Sequence, residues 1–484
     1  MKVEDLEPRS LWHNFTALNA VPRASKKEEG IIDFMVAYGN GLGLETIKDH
    51  VGNVVIKKPA TAGMENRQTV ILQSHLDMVH QKNGDSNFDF DLQGIEMYVD
   101  GDWVKARGTT LGADNGIGVA AIMAILEAQD LVHPALEALF TIDEETGMTG
   151  AKQLDPGNLS GTILLNLDTE EDNELTIGCA GGIDTTTEYQ YQQTRIAGDS
   201  VAFKVSIKGL KGGHSGMDIH KGRGNANKLM TRLLYNGNKV LDLQLASFEG
   251  GSLRNAIPRE ADAVVAVAAV QKAAFLSFIA DFSELIRAEF QTVEPGLNIT
   301  AAEVEQPSRL LDKTEFRRIL NTLYAVPNGV FRMSPDIHDL VEASTNLAKV
   351  TIKDGDFITL SLQRSNVEST KEDVAIAVGA AFESMGAKVV TSGDYPGWKP
   401  DPSSEILSLM RSLYKLSFSE QPHVNACHAG LECGILGAHL PGIDMISFGP
   451  TIHGAHSPDE RVQVSSVQKF WPYLLKVLEE IPTR

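Results

Sequence analysis

Five side chains able to bind a cation close apolar runs in this chain: His75 in VILQSHLD, Asp114 in LGADNG, Glu145 in LFTIDEETG, Asp168 in ILLNLDTE and His456 in GAHSPDE. Imidazole and carboxylate are the donors that borderline divalent cations such as zinc prefer. Five donors are one more than a single tetrahedral ion takes. The pattern therefore points to two ions sharing one carboxylate, and to metal-dependent hydrolysis.

Two neighbours of these residues extend the chemistry. His75-Leu-Asp77 puts two polar side chains on one side of an extended segment, and a ligating histidine usually donates its second ring N–H to a carboxylate. Asp77 fits that role. In Glu144-Glu145, adjacent loop acids point in different directions, so one can hold a metal while the other holds a proton. Water on a cation has its pKa drawn toward neutrality, and a carboxylate beside it can pass the proton to a leaving amine. Glu170-Glu171-Asp172 reads as solvated surface. His13, His50, His133, His338, His423 and His439 have no ligand-like setting, and His80 and His453 are read as non-ligands. There is no Gly-x-Ser-x-Gly elbow, P-loop, His-Glu-x-x-His or dinucleotide fingerprint.

These groups need elements to hold them. SKKEEGIIDFMVAY at 25–38 opens with Ser-x-x-Glu and continues with helical spacing, which predicts a capped helix. TIKDHVGNVVIKKP predicts a strand pair turning at His50–Asn53. TVILQS, LEALFTI and TILLNL are short apolar runs, with helices expected from about Asn115 to Glu127 and in TGAKQL. Such alternation implies a mainly parallel, doubly wound α/β sheet with both faces covered, whose ligands gather beyond the carboxyl ends of the strands. His75, Glu145 and Asp168 fall there, and Asp114 falls at a helix start.

After GCAGG at 178–182 the character changes. FKVSIKG, NANKLMTRLL, DAVVAVAA, AAFLSFIADFSELIRAEF and the hairpin VTIKDGDFITLSLQR, with its Asp-Gly turn, read as an inserted α+β lid domain over 187–396. YPGWKPDPSS reads as the return linker. His456 follows long after the other four candidates, so the first domain, 1–186 and 397–484, is expected to be discontinuous.

With 484 residues the chain is long enough for two or more domains with sizeable cores. A formal charge of −21 argues against nucleic acid and anionic membrane as partners. The N-terminal stretch has no signal-peptide core, and no apolar run reaches the roughly 18 residues that span a bilayer. Cys179, Cys427 and Cys433 are too few for a disulfide framework, so a reducing cytoplasm is the expected location.

The series SHLD, GADNG, DEETG, LNLDTEE, GGHSG and GAHSPDE, in this order along essentially the whole chain, resembles the two-metal exopeptidase and deacylase family that includes aminoacylases, carnosinases and peptidase T. KPATAGMENR, KARGTTLGADNGIG, GCAGGID, LRNAIPRE, YPGWKPD and HAGLECG resemble its bacterial dipeptidases. The resemblance implies that Asp114 bridges two divalent ions (zinc, with manganese or cobalt as alternatives), that His75 and Asp168 complete one site, and that Glu145 and His456 complete the other. It implies Glu144 as general base, Asp77 as the group orienting His75, and His214 of KGGHSG as the oxyanion donor. Asn255 and Arg364 are implied to hold the substrate's carbonyl and free carboxylate, the latter through a bidentate fork, and Gly430 to offer a backbone contact. The implied enzyme is a cytoplasmic homodimer hydrolysing dipeptides with free termini, including those ending in histidine such as carnosine. Tripeptide aminopeptidase and N-acyl-amino-acid deacylase are the alternatives within the family.

Overall fold

Strands that are apolar at every position must be buried on both faces, and the runs read from the sequence behave so. In the computed structural model, which describes residues 2–196 and 198–484, Val70–His75 and Leu136–Thr141 are buried throughout. The first part of the chain gives α1 (Arg9–Asn19), α2 (Glu29–Gly41), β1 (Glu45–Lys48), β2 (Val54–Lys58), β3 (Val70–His75), β4 (Met97–Asp100), β5 (Trp103–Ala106), α3 (Ala113–Glu127), β6 (Leu136–Thr141), α4 (Thr149–Lys152), β7 (Ile163–Asn166) and β8 (Glu174–Cys179).

The middle gives β9 (Gly181–Gln190), β10 (Gln193–Arg195), β11 (Ser200–Lys208), α5 (Ala226–Val240), β12 (Gln244–Gly251), β13 (Ala261–Ala268), α6 (Lys272–Phe290), β14 (Asn298–Val304), β15 (Arg309–Leu311), α7 (Lys313–Ala325), β16 (Gly329–Met333), β17 (Val341–Lys353), β18 (Asp356–Ser365), α8 (Glu368–Glu383) and β19 (Lys388–Tyr395). The remainder gives α9 (Glu405–Phe418), β20 (His423–Cys427), α10 (Glu432–His439), β21 (Asp444–Ser447), β22 (Ile452–His453), β23 (Arg461–Gln463) and α11 (Val464–Glu479).

The chain divides into two units: residues 1–178, 398–426 and 431–484, and residues 179–397 with 427–430. The first unit is built on an eight-stranded sheet ordered β1-β2-β6-β3-β7-β21-β8-β20. Its central strands β6, β3, β7 and β21 are parallel, while β1, β2 and β8 pair antiparallel. Successive residues of β3 reach helices on opposite faces: Ser74 lies against Gly118 of α3, and Gln73 bonds Glu432 of α10. A second, four-stranded sheet, β22-β23-β5-β4, carries the loop with His456.

The second unit has an antiparallel sheet ordered β14-β11-β13-β12-β17-β18-β9-β19, with β16 pairing β17. Its core is formed by Phe203, Phe248, Phe275, Phe316, Phe357 and Phe382 with the leucines and valines around them. The Asp354-Gly355 turn has both residues at positive φ, 53° and 98°, as the hairpin chemistry requires.

Two local expectations change. The boundary expected after 186 falls inside β9, which pairs with β18 along its whole length and so belongs wholly to the second unit. Ser25 does not cap α2, whose N-cap is Glu28 without a side-chain bond. Ser25 instead donates to Asp77 Oδ2 at 2.8 Å, and Glu28 accepts from the backbone of Lys26 and Asp143. The Ser-x-x-Glu pattern is used for tertiary support. Among the described residues no helix is long and apolar enough to cross a membrane.

Candidate metal centre and substrate-binding residues

His75 is the last residue of β3, Asp168 lies just beyond β7, and Glu144 and Glu145 follow β6. Asp114 opens α3 in non-helical conformation (φ −81°, ψ 109°), after Gly112 at φ +70°. His456 sits between β22 and β23. These residues form three overlapping groups whose donor atoms lie within 4.8 Å of one another: His75, Asp114 and Asp168; His75, Glu144 and Glu145; and Asp114, Glu145 and His456.

The two oxygens of Asp114 face different histidines. Oδ1 is 3.2 Å from His75 Nε2, and Oδ2 is 3.2 Å from His456 Nε2. His75 Nε2 also lies 3.5 Å from Asp168 Oδ1, and His456 Nε2 lies 3.0 Å from Glu145 Oε2. Ligand bonds of about 2.0–2.1 Å at a tetrahedral angle put neighbouring donors about 3.3 Å apart, close to these spacings. Glu145 Oε1 and Asp168 Oδ1 are buried without a hydrogen-bond partner, a costly arrangement unless something else satisfies them. The donor set and the orphaned oxygens fit two divalent cations sharing Asp114.

Electrostatics follow from packing so many acids together. Burial raises Asp168 to about 6, against His75, and the acids Asp114 and Glu145 push the same way. Burial also holds Glu144 well above the ordinary carboxyl range, with Asp168, Glu432 and Glu145 adding to the rise. His456 is pushed up to about 11 by hydrogen bonds to Asp114 and Glu145. Burial opposes charge on His75, yet Asp168, Asp114 and Asp77 raise its pKa well above 6.5.

Asp77, fully buried, joins several segments. Its carboxylate accepts from Ser25 Oγ (2.8 Å), Glu144 N (3.0 Å) and Glu145 N (3.3 Å). His75 Nδ1 lies 3.4 Å from its Oδ1 and 3.1 Å from its backbone oxygen. A proton on Nδ1 leaves the Nε2 lone pair facing Asp114 and Asp168. The Glu144-Glu145 turn is braced further by Asp143, at φ 53°, which accepts from the hydroxyls of Thr146 and Thr149.

The other candidates lie in the second unit. His214 Nδ1 accepts from the backbone N–H groups of Gly216 and Met217, both at 3.1 Å, so the ring proton sits on Nε2. Burial and the neighbouring Arg364 lower its pKa to about 4, which keeps the ring neutral. Arg364 is buried, and its bonded partners are Ser215 Oγ (3.3 Å) and Tyr395 OH (2.8 Å). Its Nη2 is 3.5 Å from His214 Nε2. Two N–H donors thus converge, a setting for a carboxylate or oxyanion. Asn255 lies exposed, its carbonyl accepting from Ser215 N at 2.8 Å. Gly430 ends the short segment 427–430 that belongs with this unit.

Several contributors went unread in the sequence. Glu170, expected as solvated surface, is half-buried beside the cluster, and burial with Asp114 and Asp168 nearby raises it to about 8. Glu432 is fully buried and accepts from Gln73 Nε2 and Thr141 Oγ1, both at 2.7 Å. Arg23 and Glu460 are buried against the ligand loops, and no local pattern announces either. His80 and His453 join none of the metal groups.

A histidine and carboxylate cage at the strand ends, with a partly buried carboxyl group beside it, suits metal-dependent hydrolysis. The chain belongs to peptidase family M20/M25/M40, whose model matches residues 71–480, and is a metallopeptidase of that family. It is 44% identical to the cytosol non-specific dipeptidase of Escherichia coli (strain K12) over 486 residues, covering 100% of both chains. It superposes on the crystal structure of aminoacylhistidine dipeptidase from Vibrio alginolyticus with a TM-score of 0.95 and 43% identity, covering 100% of this chain and 99% of that one. Aminopeptidase PepT from Bacillus cereus shares the fold, with a TM-score of 0.57, 16% identity and coverage of 98% and 99%.

Proposed function

We propose that this chain hydrolyses dipeptides with free amino and carboxyl termini, including those ending in histidine, using two divalent cations. The observation that carries the reading is Asp114, whose two oxygens face two different histidine–carboxylate groups. Full-length likeness to two dipeptidases supports the substrate class, whereas aminopeptidase PepT shares only the fold.

His75 and Asp168 would hold one cation, Glu145 and His456 the other, and Asp114 both. Cations there would polarise the scissile carbonyl and make water more acidic. Glu144, raised in pKa by burial, takes a proton from the attacking water and hands it to the leaving amine. His214, neutral with its proton on Nε2, donates to the carbonyl oxygen as charge develops there. The Arg364 fork receives the free carboxylate, whose two oxygens and charge match the planar guanidinium. Asn255 contacts the carbonyl, Gly430 offers its backbone to the carboxylate, and Asp77 orients His75.

Zinc is the expected metal, with manganese or cobalt as alternatives. Location in the cytoplasm is supported by the name of the Escherichia coli relative. Homodimer formation through the second unit is supported by β16, a strand paired on one side with Val330, Phe331 and Met333 exposed.

The test is a substrate panel on metal-free protein reloaded with zinc, manganese or cobalt. Free dipeptides are expected to be cleaved, and their N-acetyl and C-terminally amidated forms to be poor substrates. Preference for the N-acetyl form would establish a deacylase instead, and activity at near-zero metal content would exclude the two-cation reading.

A further inference from the structure

The loop that presents Asp114 is held from outside by a residue with no part in the chemistry described above. The N–H groups of a first helical turn have no partner within the helix, and here those of Ala113 and Asp114, with the two just before the helix, converge on one carboxylate. Glu460 Oε2 accepts from Leu111 N (2.7 Å) and Gly112 N (3.0 Å), and Oε1 accepts from Ala113 N (2.7 Å) and Asp114 N (3.2 Å). Glu460 is 2% exposed, so water cannot take its place.

The same residue closes the loop that carries His456, its own N–H bonding Ser457 O at 3.0 Å. From the other side, buried Arg23 donates to Gly112 O (2.5 Å) and Asn19 Oδ1 (2.9 Å), and to the carbonyls of Leu76 (3.0 Å) and Asp77 (3.1 Å). A Cβ on Gly112 or Gly116 would run into the Arg23 guanidinium, which gives a physical reason for both glycines of GADNG. The segments carrying His75, Asp114 and His456 are therefore fastened to one another through their backbones.

We propose that Glu460 is a positioning residue that fixes Asp114 against His456, so that its two oxygens are aimed before either cation arrives. A shift of Asp114 relative to His456 would have to break four buried hydrogen bonds together. The proposal rests on the reading that Asp114 is shared by two cations.

The experiment titrates metal-free protein with zinc, follows amide hydrogen exchange at residues 111–114 without metal, and measures kcat and KM across a range of free zinc. Glu460→Gln keeps the size of the side chain but sets an NH2 group against two of the four N–H donors. We expect faster exchange at 111–114, a loss of roughly 10- to 100-fold in metal affinity, and turnover restored by excess zinc at unchanged KM. Unchanged affinity despite faster exchange would overturn the proposal, as would lost turnover that no zinc concentration restores. If Glu460→Gln fails to fold, Glu460→Asp, too short to reach all four donors, is read by the same measures. Parent protein that bound a single ion, or retained two with Asp114→Ala, would instead overturn the shared-carboxylate reading itself.

Discussion

Asp77→Asn isolates how the residue next to the proposed ligand His75 acts. The carboxylate takes Glu144 N on Oδ1 and both Ser25 Oγ and Glu145 N on Oδ2. Asparagine keeps the volume but can accept on one side only. Its better orientation retains the Oδ2 pair and turns its NH2 toward Glu144 N and His75. One charge-assisted bond is lost, about 1.5–3 kcal/mol of stability. The His75 tautomer survives, because Nδ1 still has the Asp77 carbonyl at 3.1 Å. What disappears is the carboxylate's support for the basicity of the ring, which elsewhere is worth roughly 10- to 100-fold in metal affinity, about 1.4–2.7 kcal/mol. Zinc titration of the metal-free variant should show that loss, and kcat at saturating zinc should stay within about 10-fold of the parent. Unchanged affinity would refute the reasoning. So would a collapse of kcat at saturating zinc, which would mean the carboxylate alone sets the tautomer.

Arg364→Ala should chiefly raise KM for dipeptides, since a ground-state contact is removed, and should erase discrimination against amidated dipeptides; continued rejection of the amide would take the carboxylate from Arg364. His214→Ala should lower kcat by about 100- to 1,000-fold, the usual effect of losing one oxyanion donor, and a near-normal kcat would remove it from that role. If His214 acts across a dimer, mixing this variant with Glu144→Gln should recover activity through hybrids, whereas exchanged subunits without recovery would place it within one chain. In the metal-free protein His75 and His456 are held protonated by their acidic neighbours, His456 up to about 11. That pairing stabilises the metal-free fold below about pH 6.5 and is lost as pH rises toward 11. Metal must displace these protons, so affinity should climb between pH 6 and 9, by about 10-fold per unit for each proton released; a flat profile would contradict the assignment.

The candidate ligands were legible because chemistry and placement coincide in one dimension. His75 ends, and Glu145 and Asp168 follow, runs buried at every position, and such runs name the strand ends where ligands collect. The bracing was not legible. Arg23, Ser25 and Glu460 bond backbone or carboxylate groups 52 to 349 residues away, and a bond to so distant a group leaves no pattern around the residue that makes it. Ser25 shows how local reading errs: Ser-x-x-Glu is a helix-start signature, yet a buried carboxylate outcompeted the helix for its hydroxyl. Glu170 failed for a related reason, because an acidic run resembles surface until the fold packs Asp114 and Asp168 against it. The sheet carrying His456 pairs β5 with β23, a long-range match of short strands that neither segment advertises.

Glu144→Gln is the measurement that bears most directly on the account. The substitution keeps the side chain's size and leaves Asp114, Glu145 and both histidines in place, but an amide cannot take a proton from water. With zinc content and dipeptide turnover measured on the same sample, the expected result is two ions per chain and a kcat lowered by about 100- to 10,000-fold. A variant retaining half the parental rate with both ions bound would contradict it, and would place the proton transfer on another group.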